Sequence, residues 1–252
     1  MSSKIFSAAV VGLDAEIVEV EAETGGGELG SFAIVGLPDL AVTESKERVR
    51  SAIRNSGLEF PKLKVTVNLA PADLRKQGPS YDLPIAVSVL LASNKLAPKI
   101  ALNQSLFIGE LALSGVVRPV SGVLSIALRA EQAGFKFLFV PAANAAEAKL
   151  VQNLDIRPVA HLSELIKHLL HEEEILSYPA KELSFEDIDS PFDFMHIRGQ
   201  EYAKRAFEIA AAGAHNLLMS GPPGSGKTLL ARSMPSILPK LTINEALEIT
   251  KI

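Results

Sequence analysis

The sequence predicts a mixed α/β protein in two parts: an α+β domain over residues 1–170, then the start of an α/β phosphate-binding fold over residues 192–252. Three observations point there. Strand-like and helix-like segments alternate through the first 170 residues. An acidic stretch over 171–191 then breaks the pattern. A glycine-rich loop follows, set between an apolar strand-like segment and a helix-like one. Such alternation is what packed layers of sheet and helix require.

The elements of the first part can be justified in order. Ala8–Val11 and Glu16–Ala22 read as strands, the second by its period-2 pattern at Ile17, Val18 and Val20. Gly25, Gly26 and Gly27 mark a turn, and Phe32–Val35 is a short apolar strand. Thr43–Ser56 reads as a helix with Val42, Val49, Ala52 and Ile53 along one face and Gly57 past its end. Lys64–Leu69 is a β-branched strand. Tyr81–Ser93 is a buried helix with Pro84 tolerated in its first turn. Leu106–Ile108 and Leu111–Leu113 read as strands, Val123–Gln132 as a helix, and Phe137–Val140 as a strand. Ala143–Val151 and Ser163–Leu170 complete the series as helices.

Residues 171–191 hold Glu172, Glu173, Glu174, Pro179, Glu182, Glu186, Asp187 and Asp189. They read as an acidic linker, and the first third reads equally as a solvated helix end and surface loop. Glu201–Ala212 is the next helix.

Bulk properties set limits on function. A chain of 252 residues, at about 150 residues per domain, holds one large or two modest domains. A hydrophobic content of 48% and a mean hydropathy of +0.23 exclude a disordered chain. There are no cysteines, so disulfides and thiolate metal sites are excluded. The first residues lack an apolar signal-peptide core and meet Asp14 and Glu16 early. The most apolar run, Leu83 to Ala92, is about half the roughly 20 residues that span a bilayer. A cytoplasmic protein without membrane contact is expected. The net charge of −4 offers no global field for nucleic acid, so any such contact needs a local patch.

The sharpest motif is NLLMSGPPGSGKT at 216–228. Gly221, Pro222, Pro223, Gly224, Ser225, Gly226, Lys227 and Thr228 fill the G-x-x-x-x-G-K-[ST] phosphate-loop pattern, also called Walker A. The context is the one the motif needs: Asn216–Ser220 reads as a strand and Thr228–Met234 as a helix. Glycines let the loop turn its backbone N–H groups inward on phosphate oxygens, and the helix start adds partial positive charge. Lys227 is expected on the β- and γ-phosphates of ATP and Thr228 on Mg²⁺.

Four strings carry a wider resemblance: IVGLPDLAVTESKERVRSAIRNSG at 34–57, VNLAPADLRKQGPSYDLPIAVSVL at 67–90, GELALSGVVRPVSGVL at 109–124 and GQEYAKRAFEIAAAGAHNLLMSGPPGSGKT at 199–228. They resemble the bacterial magnesium-chelatase-like AAA+ proteins of the YifB/ComM type, over almost the whole chain. That family is about twice this length, so the chain resembles its N-terminal half. The resemblance implies ATP and Mg²⁺ as cofactors, assembly into ring hexamers, and DNA as partner, through ATP-driven migration of branched DNA in transformation. It also places Ile197 and Gly199 beside the adenine. The sequence stops roughly 25 residues past the loop. The acidic strand end, sensor and arginine finger of an AAA+ module therefore fall outside it, and the stretch alone is expected to be inactive as an ATPase.

The same strings are similar to the proteolytic domain of Lon-type proteases, a ribosomal S5 domain 2-like fold with a Ser-Lys dyad. Ser80 falls at the nucleophile position. The position of the lysine is Leu124, with no lysine within ten residues on either side. The resemblance therefore implies a protease fold without protease chemistry. From the residues themselves, Ser80 reads as a helix N-cap before Leu83–Leu91, and Lys76, which precedes the turn at Gly78-Pro79, as pointing to solvent. A Lon-type protease and a metal chelatase remain the competing enzymes, and a binding or assembly module is the non-enzymatic alternative. His161, His168 and His171 are expected as surface histidines and not as metal ligands. Lys46, Arg48, Arg50 and Arg54 make the 43–56 helix basic. That face reads either as a phosphate-contacting surface or, the favoured reading, as a solvated face partly balanced by Glu44 and Glu47.

Overall fold

The computed structural model describes residues 2–180 and 191–251. The chain divides into two compact units, the first over residues 1–181 with 251–252 and the second over 182–250. Half of the expected linker, residues 181–190, lies outside the described residues.

The first unit is a mixed α/β structure around a seven-stranded sheet ordered β3-β4-β2-β1-β5-β8-β9. β1 (Ser2–Val11) and β2 (Asp14–Gly25) form a long antiparallel hairpin in which Val11 faces Asp14. β4 (Lys64–Ala70) pairs antiparallel with β2, and β3 (Phe32–Val35) lies parallel on β4. On the other side, β5 (Ser105–Phe107), β8 (Phe137–Pro141) and β9 (Asp155–Val159) continue in parallel from β1. β6 (Glu110–Leu111) and β7 (Val117–Arg118) make a small separate hairpin.

α1 (Leu40–Asn55) starts three residues before the predicted Thr43, because Asp39 caps it: its carboxylate accepts the Val42 N–H at 2.8 Å. The other carboxylate oxygen accepts the Gly78 N–H at 3.0 Å, tying α1 to the loop before the next helix. α2 (Asp82–Ala92) is buried at every position but Leu91, as expected for a segment apolar all round. It packs on β1, β2 and α1. α3 (Val123–Gln132) matches its predicted bounds. α4 (Ala145–Ala148) is a shorter helix than the predicted 143–151, preceded by a 3₁₀ turn at Ala142–Asn144. α5 (Leu162–Leu169) is capped by His161, whose Nδ1 accepts the Ser163 N–H at 3.1 Å.

A large apolar cluster of this unit includes Ile5, Val20, Val67, Leu69, Leu83 and Phe139. Within it sits one charged pair. Asp82 is fully buried and takes Arg48 Nε at 2.6 Å, the Leu111 N–H at 3.1 Å and the Ser45 hydroxyl. Every acceptor of the carboxylate thus faces a donor, as a buried charge requires. The group pins α1, α2 and β6 together.

The second unit holds α6 (Glu201–Gly213), α7 (Lys227–Ser233) and α8 (Ile243–Thr250). Its buried cluster is Phe194, Ile197, Phe207 and Leu230, with the Phe194 and Phe207 rings 6.0 Å apart. The predicted strand at Asn216–Ser220 is not formed. Residues 215–222 carry no regular structure, and Leu218 is 95% exposed. A strand is defined by its partner, and among the described residues of this unit nothing pairs with it.

Candidate functional site

The glycine-rich loop spans the turn between the extended 216–220 segment and α7. Gly224 and Gly226 adopt φ of +79° and +82°, the left-handed region that favours glycine. The Ser225 N–H closes a turn on the Pro222 carbonyl at 3.4 Å. Gly226 is the N-cap of α7 and supplies no side-chain cap. The first N–H groups of the helix are therefore left for other acceptors. Lys227 opens α7, and its ammonium curls back over the loop. It donates to the Gly221 carbonyl at 2.8 Å, to the Pro222 carbonyl at 2.7 Å and to the Ser225 hydroxyl at 3.2 Å. Thr228 is exposed in the first turn.

The Ile197–Gly199 turn comes to the same place. Gly199 and Gln200 both have positive φ, +67° and +63°, and reverse the chain into α6. The Gln200 side chain then donates to the Ser225 carbonyl at 3.1 Å. Ile197 is 7% exposed and joins the apolar cluster with Leu230 of α7. A hollow of about 300 Å³ lies between them, lined by Ile197, Arg198, Gln200, Gly224 and Gly226 among others. Residues 25 positions apart in sequence thus share one concave surface. Gln200 belongs to the G-Q pair before a helix that the sequence marks at this place, although only Ile197 and Gly199 were expected at the nucleotide.

The second predicted location behaves differently. Ser80 lies in a 3₁₀ turn, Pro79–Tyr81, and its carbonyl accepts the Gly109 N–H at 2.9 Å. It is not the N-cap of α2. Tyr81 holds that position and no side chain caps the helix, because the 3₁₀ turn runs directly into it. Leu124 is buried in the first turn of α3, and its N–H donates to Glu147 Oε1 at 3.0 Å. Lys76 does not point to solvent. Its backbone is bridged on both sides to the 37–39 segment, with the Asp39 N–H donating to the Lys76 carbonyl at 3.1 Å. This turns the side chain inward, where it is fully buried and donates to the Pro71 carbonyl. Burial lowers its pKa below the usual lysine value, with Asp73 opposing.

His168 is half-buried rather than free on the surface. Its ring lies 5.5 Å from that of Phe139, and Nδ1 accepts the Ile175 N–H at 3.1 Å. Burial and then the Arg157 guanidinium hold its pKa below the ordinary histidine value. No group of three or more potential metal ligands exists among the described residues, and no helix among them is long and apolar enough to cross a membrane.

The fold and the loop together define a mixed α/β protein whose second unit carries a glycine-rich loop at a helix start. Comparison with known proteins narrows this. Residues 18–144 match the family described as subunit ChlI of Mg-chelatase, and residues 193–252 match magnesium chelatase, subunit ChlI. The protein YifB of Salmonella typhimurium is 43% identical over 247 residues, covering 97% of this chain and 47% of that protein. Competence protein ComM of Haemophilus influenzae is 41% identical over 254 residues, covering 98% and 49%. The chain belongs to this magnesium-chelatase-like family of the YifB/ComM type, and spans about half the length of these two relatives. The chain has a further likeness: a Lon protease of Roseiflexus castenholzii is 27% identical over 169 residues, 64% of this chain and 21% of that protein.

Proposed function

We propose that the chain is the front part of a magnesium-chelatase-like AAA+ ATPase, and that residues 221–228 bind ATP with Mg²⁺. The observation that carries this reading is the junction of loop, α7 and the 197–200 turn through Gln200 and Ser225. It supports one site with two halves, a polar cradle for phosphates and a hollow with an apolar wall at Ile197 for a base. The donor set fits. The loop offers backbone N–H groups freed by its glycines, an ammonium at Lys227 already gathered over the loop, and a free hydroxyl at Thr228. Bound ATP·Mg²⁺ would supply the driving reaction of the whole protein. Within this chain the residues bind and orient: Lys227 would leave its carbonyl partners for the phosphates, and Thr228 would hold the metal. In the whole protein the work proposed is migration of branched DNA by a ring hexamer in the cytoplasm, as the family resemblance implies.

The test is equilibrium binding of a fluorescent ATP analogue with Mg²⁺ to the 252-residue chain. Lys227→Ala should weaken it at least tenfold, and Thr228→Ala should remove most of its dependence on Mg²⁺. Equal binding by the wild type and Lys227→Ala would defeat the assignment.

We propose that the first unit, residues 1–170, is a Lon-type, ribosomal S5 domain 2-like fold without proteolytic activity, followed by an acidic connection over 171–191. Leu124 at the position of the general base supports this, since leucine takes no proton. One observation favours the competing protease reading: Lys76, four residues before Ser80, is buried with a lowered pKa. A lysine shifted toward neutrality is what such a dyad needs. Its ammonium is engaged by the Pro71 carbonyl. Reaction with a serine-directed fluorophosphonate separates the two. No adduct at Ser80 is expected, and stoichiometric labelling lost in Lys76→Ala would establish a rewired dyad.

A further inference from the structure

Two adjoining hollows on the first unit form a groove with a charge opposite to that of the chain. The larger, about 780 Å³, is lined by Arg50, Arg54, Lys62 and Glu59 over walls that include Leu58 and Phe60. The smaller, about 450 Å³, shares Glu59, Phe60 and Lys62 and adds Lys95. Four cations, set against Glu59 in the lining and Glu47 beside Arg50, leave a charge of +2 at the groove, within a chain of net charge −4. Like charges gathered against the overall balance cost energy unless something outside compensates them.

The cations differ in how they are held. Arg50 is pre-positioned: its guanidinium lies 5.2 Å from the centre of the Phe60 ring, donates to the Gly30 carbonyl at 2.9 Å and meets Glu47 at 3.6 Å. Lys95 stands 3.9 Å from Glu59, which removes the lining carboxylate from competition. Arg54 and Lys62 are exposed, and their side chains make no hydrogen bond or ion pair among the described residues. Arg50 and Arg54 are one turn apart on α1, about 6 Å along its axis, a step comparable with that between phosphates of an extended strand. The apolar walls point the same way. A duplex presents only its backbone to such a recess, whereas an unpaired strand also presents sugars and base faces.

We infer that this groove binds a single strand of nucleic acid, with Arg50, Arg54 and Lys62 on consecutive phosphates. The inference rests on the reading that the whole protein acts on DNA, but not on the nucleotide loop. The helix face was favoured in the sequence as a plain solvated surface. The hollow beneath it is formed with residues 58–62, which no helix-face pattern could include.

The test is anisotropy of a labelled 30-residue oligothymidylate with the 252-residue chain, without ATP, over a salt series. Each phosphate contact on a single strand contributes about 0.7 to the slope of log affinity against log salt. Arg54→Ala/Lys62→Ala should therefore flatten the slope by about 1.4 and weaken binding about 25-fold at 0.1 M salt. Lys4→Ala/Arg118→Ala, which removes paired cations elsewhere, should leave both unchanged. A lack of oligonucleotide binding overturns the inference, as does equal loss in the two double variants. Equal competition by polyglutamate, or equal binding of a duplex, overturns the single-strand assignment. Lys227→Ala should bind the oligonucleotide normally, so failure here and failure of the nucleotide site are separable.

Discussion

Two segments of similar apolar character meet opposite fates in this molecule. Residues 64–69, KVTVNL, form β4, hydrogen-bonded to β2 on one side and β3 on the other, with Val65, Val67 and Leu69 fully buried. Residues 216–220, NLLMS, form no strand, and Leu217 and Leu218 face solvent. Both segments read as strands in the sequence. What separates them is the supply of partners, since sheet stability comes from cross-strand pairing and burial and not from the residues alone. Order in the first unit is therefore collective, while order in the second rests on a four-residue cluster and on the loop's own hydrogen bonds.

The largest effect expected from this contrast is in amide exchange. Amides in 64–69 and 83–91 should exchange only through global unfolding, whereas those in 216–235 should open locally at little cost. A difference of at least about 10³-fold in protection is expected. Equal protection would show that the second unit is held by interactions its small core does not reveal.

Point substitutions sharpen the same contrast. Leu69→Ala removes a fully buried side chain from β4 and should cost about 2–5 kcal/mol in urea unfolding. Leu218→Ala removes a side chain that is 95% exposed, and should change stability by less than about 0.5 kcal/mol. A large cost at Leu218 would mean that the extended segment packs against something in solution.

Much of the first unit was legible in the sequence. Most of its elements follow from period-2 and helical patterns, because each has a distinct solvent face or is buried throughout. What escaped has identifiable causes. β9 was missed because Pro158 sits inside it, yet β9 is the edge strand, where proline costs no ladder bond on the open side. α8 was missed although Thr242 and Glu245 form a reciprocal capping pair, with the Thr242 N–H on Glu245 Oε2 at 2.8 Å. Of the candidate site, the glycine turn and the helix start were legible, since they are fixed by local chemistry, whereas the strand expected at 216–220 is not formed. The inward turn of Lys76 was not, because it depends on a bridge to residues nearly forty positions earlier.

Ser80 gives a smaller effect that tests this lesson. As an N-cap its loss would cost about 0.5–2 kcal/mol. Placed in the 3₁₀ turn with no capping bond, Ser80→Ala should instead stay within about 0.5 kcal/mol. A cost above 1 kcal/mol in denaturant unfolding would restore a structural role for its hydroxyl.

The smallest effect expected is confined to one end of the first unit and depends on pH. After α5 the chain folds back beside β9: Arg157 pairs with Glu174 at 3.1 Å and donates to the Ile175 carbonyl, and the Tyr178 N–H reaches the Ile156 carbonyl at 2.8 Å. The neighbouring bond is the one that titrates. The Ile175 N–H needs an unprotonated Nδ1 on His168. Burial and Arg157 lower the His168 pKa in the folded chain, with His171 adding to the effect and Glu174 and Asp155 opposing it. The unfolded value is about 6.5. Above it both states are neutral and the full contribution is present. As pH falls below it the unfolded state takes up the proton first, so stability drops until the folded pKa is reached. Exchange at Ile175, corrected for its intrinsic pH dependence, should thus speed up between pH 7.5 and 5.5, while Leu69 holds. His168→Asn offers an acceptor that does not titrate, and should make exchange at Ile175 indifferent to pH over this range. If Ile175 in His168→Asn still loosens at low pH, the proton acts elsewhere than on His168.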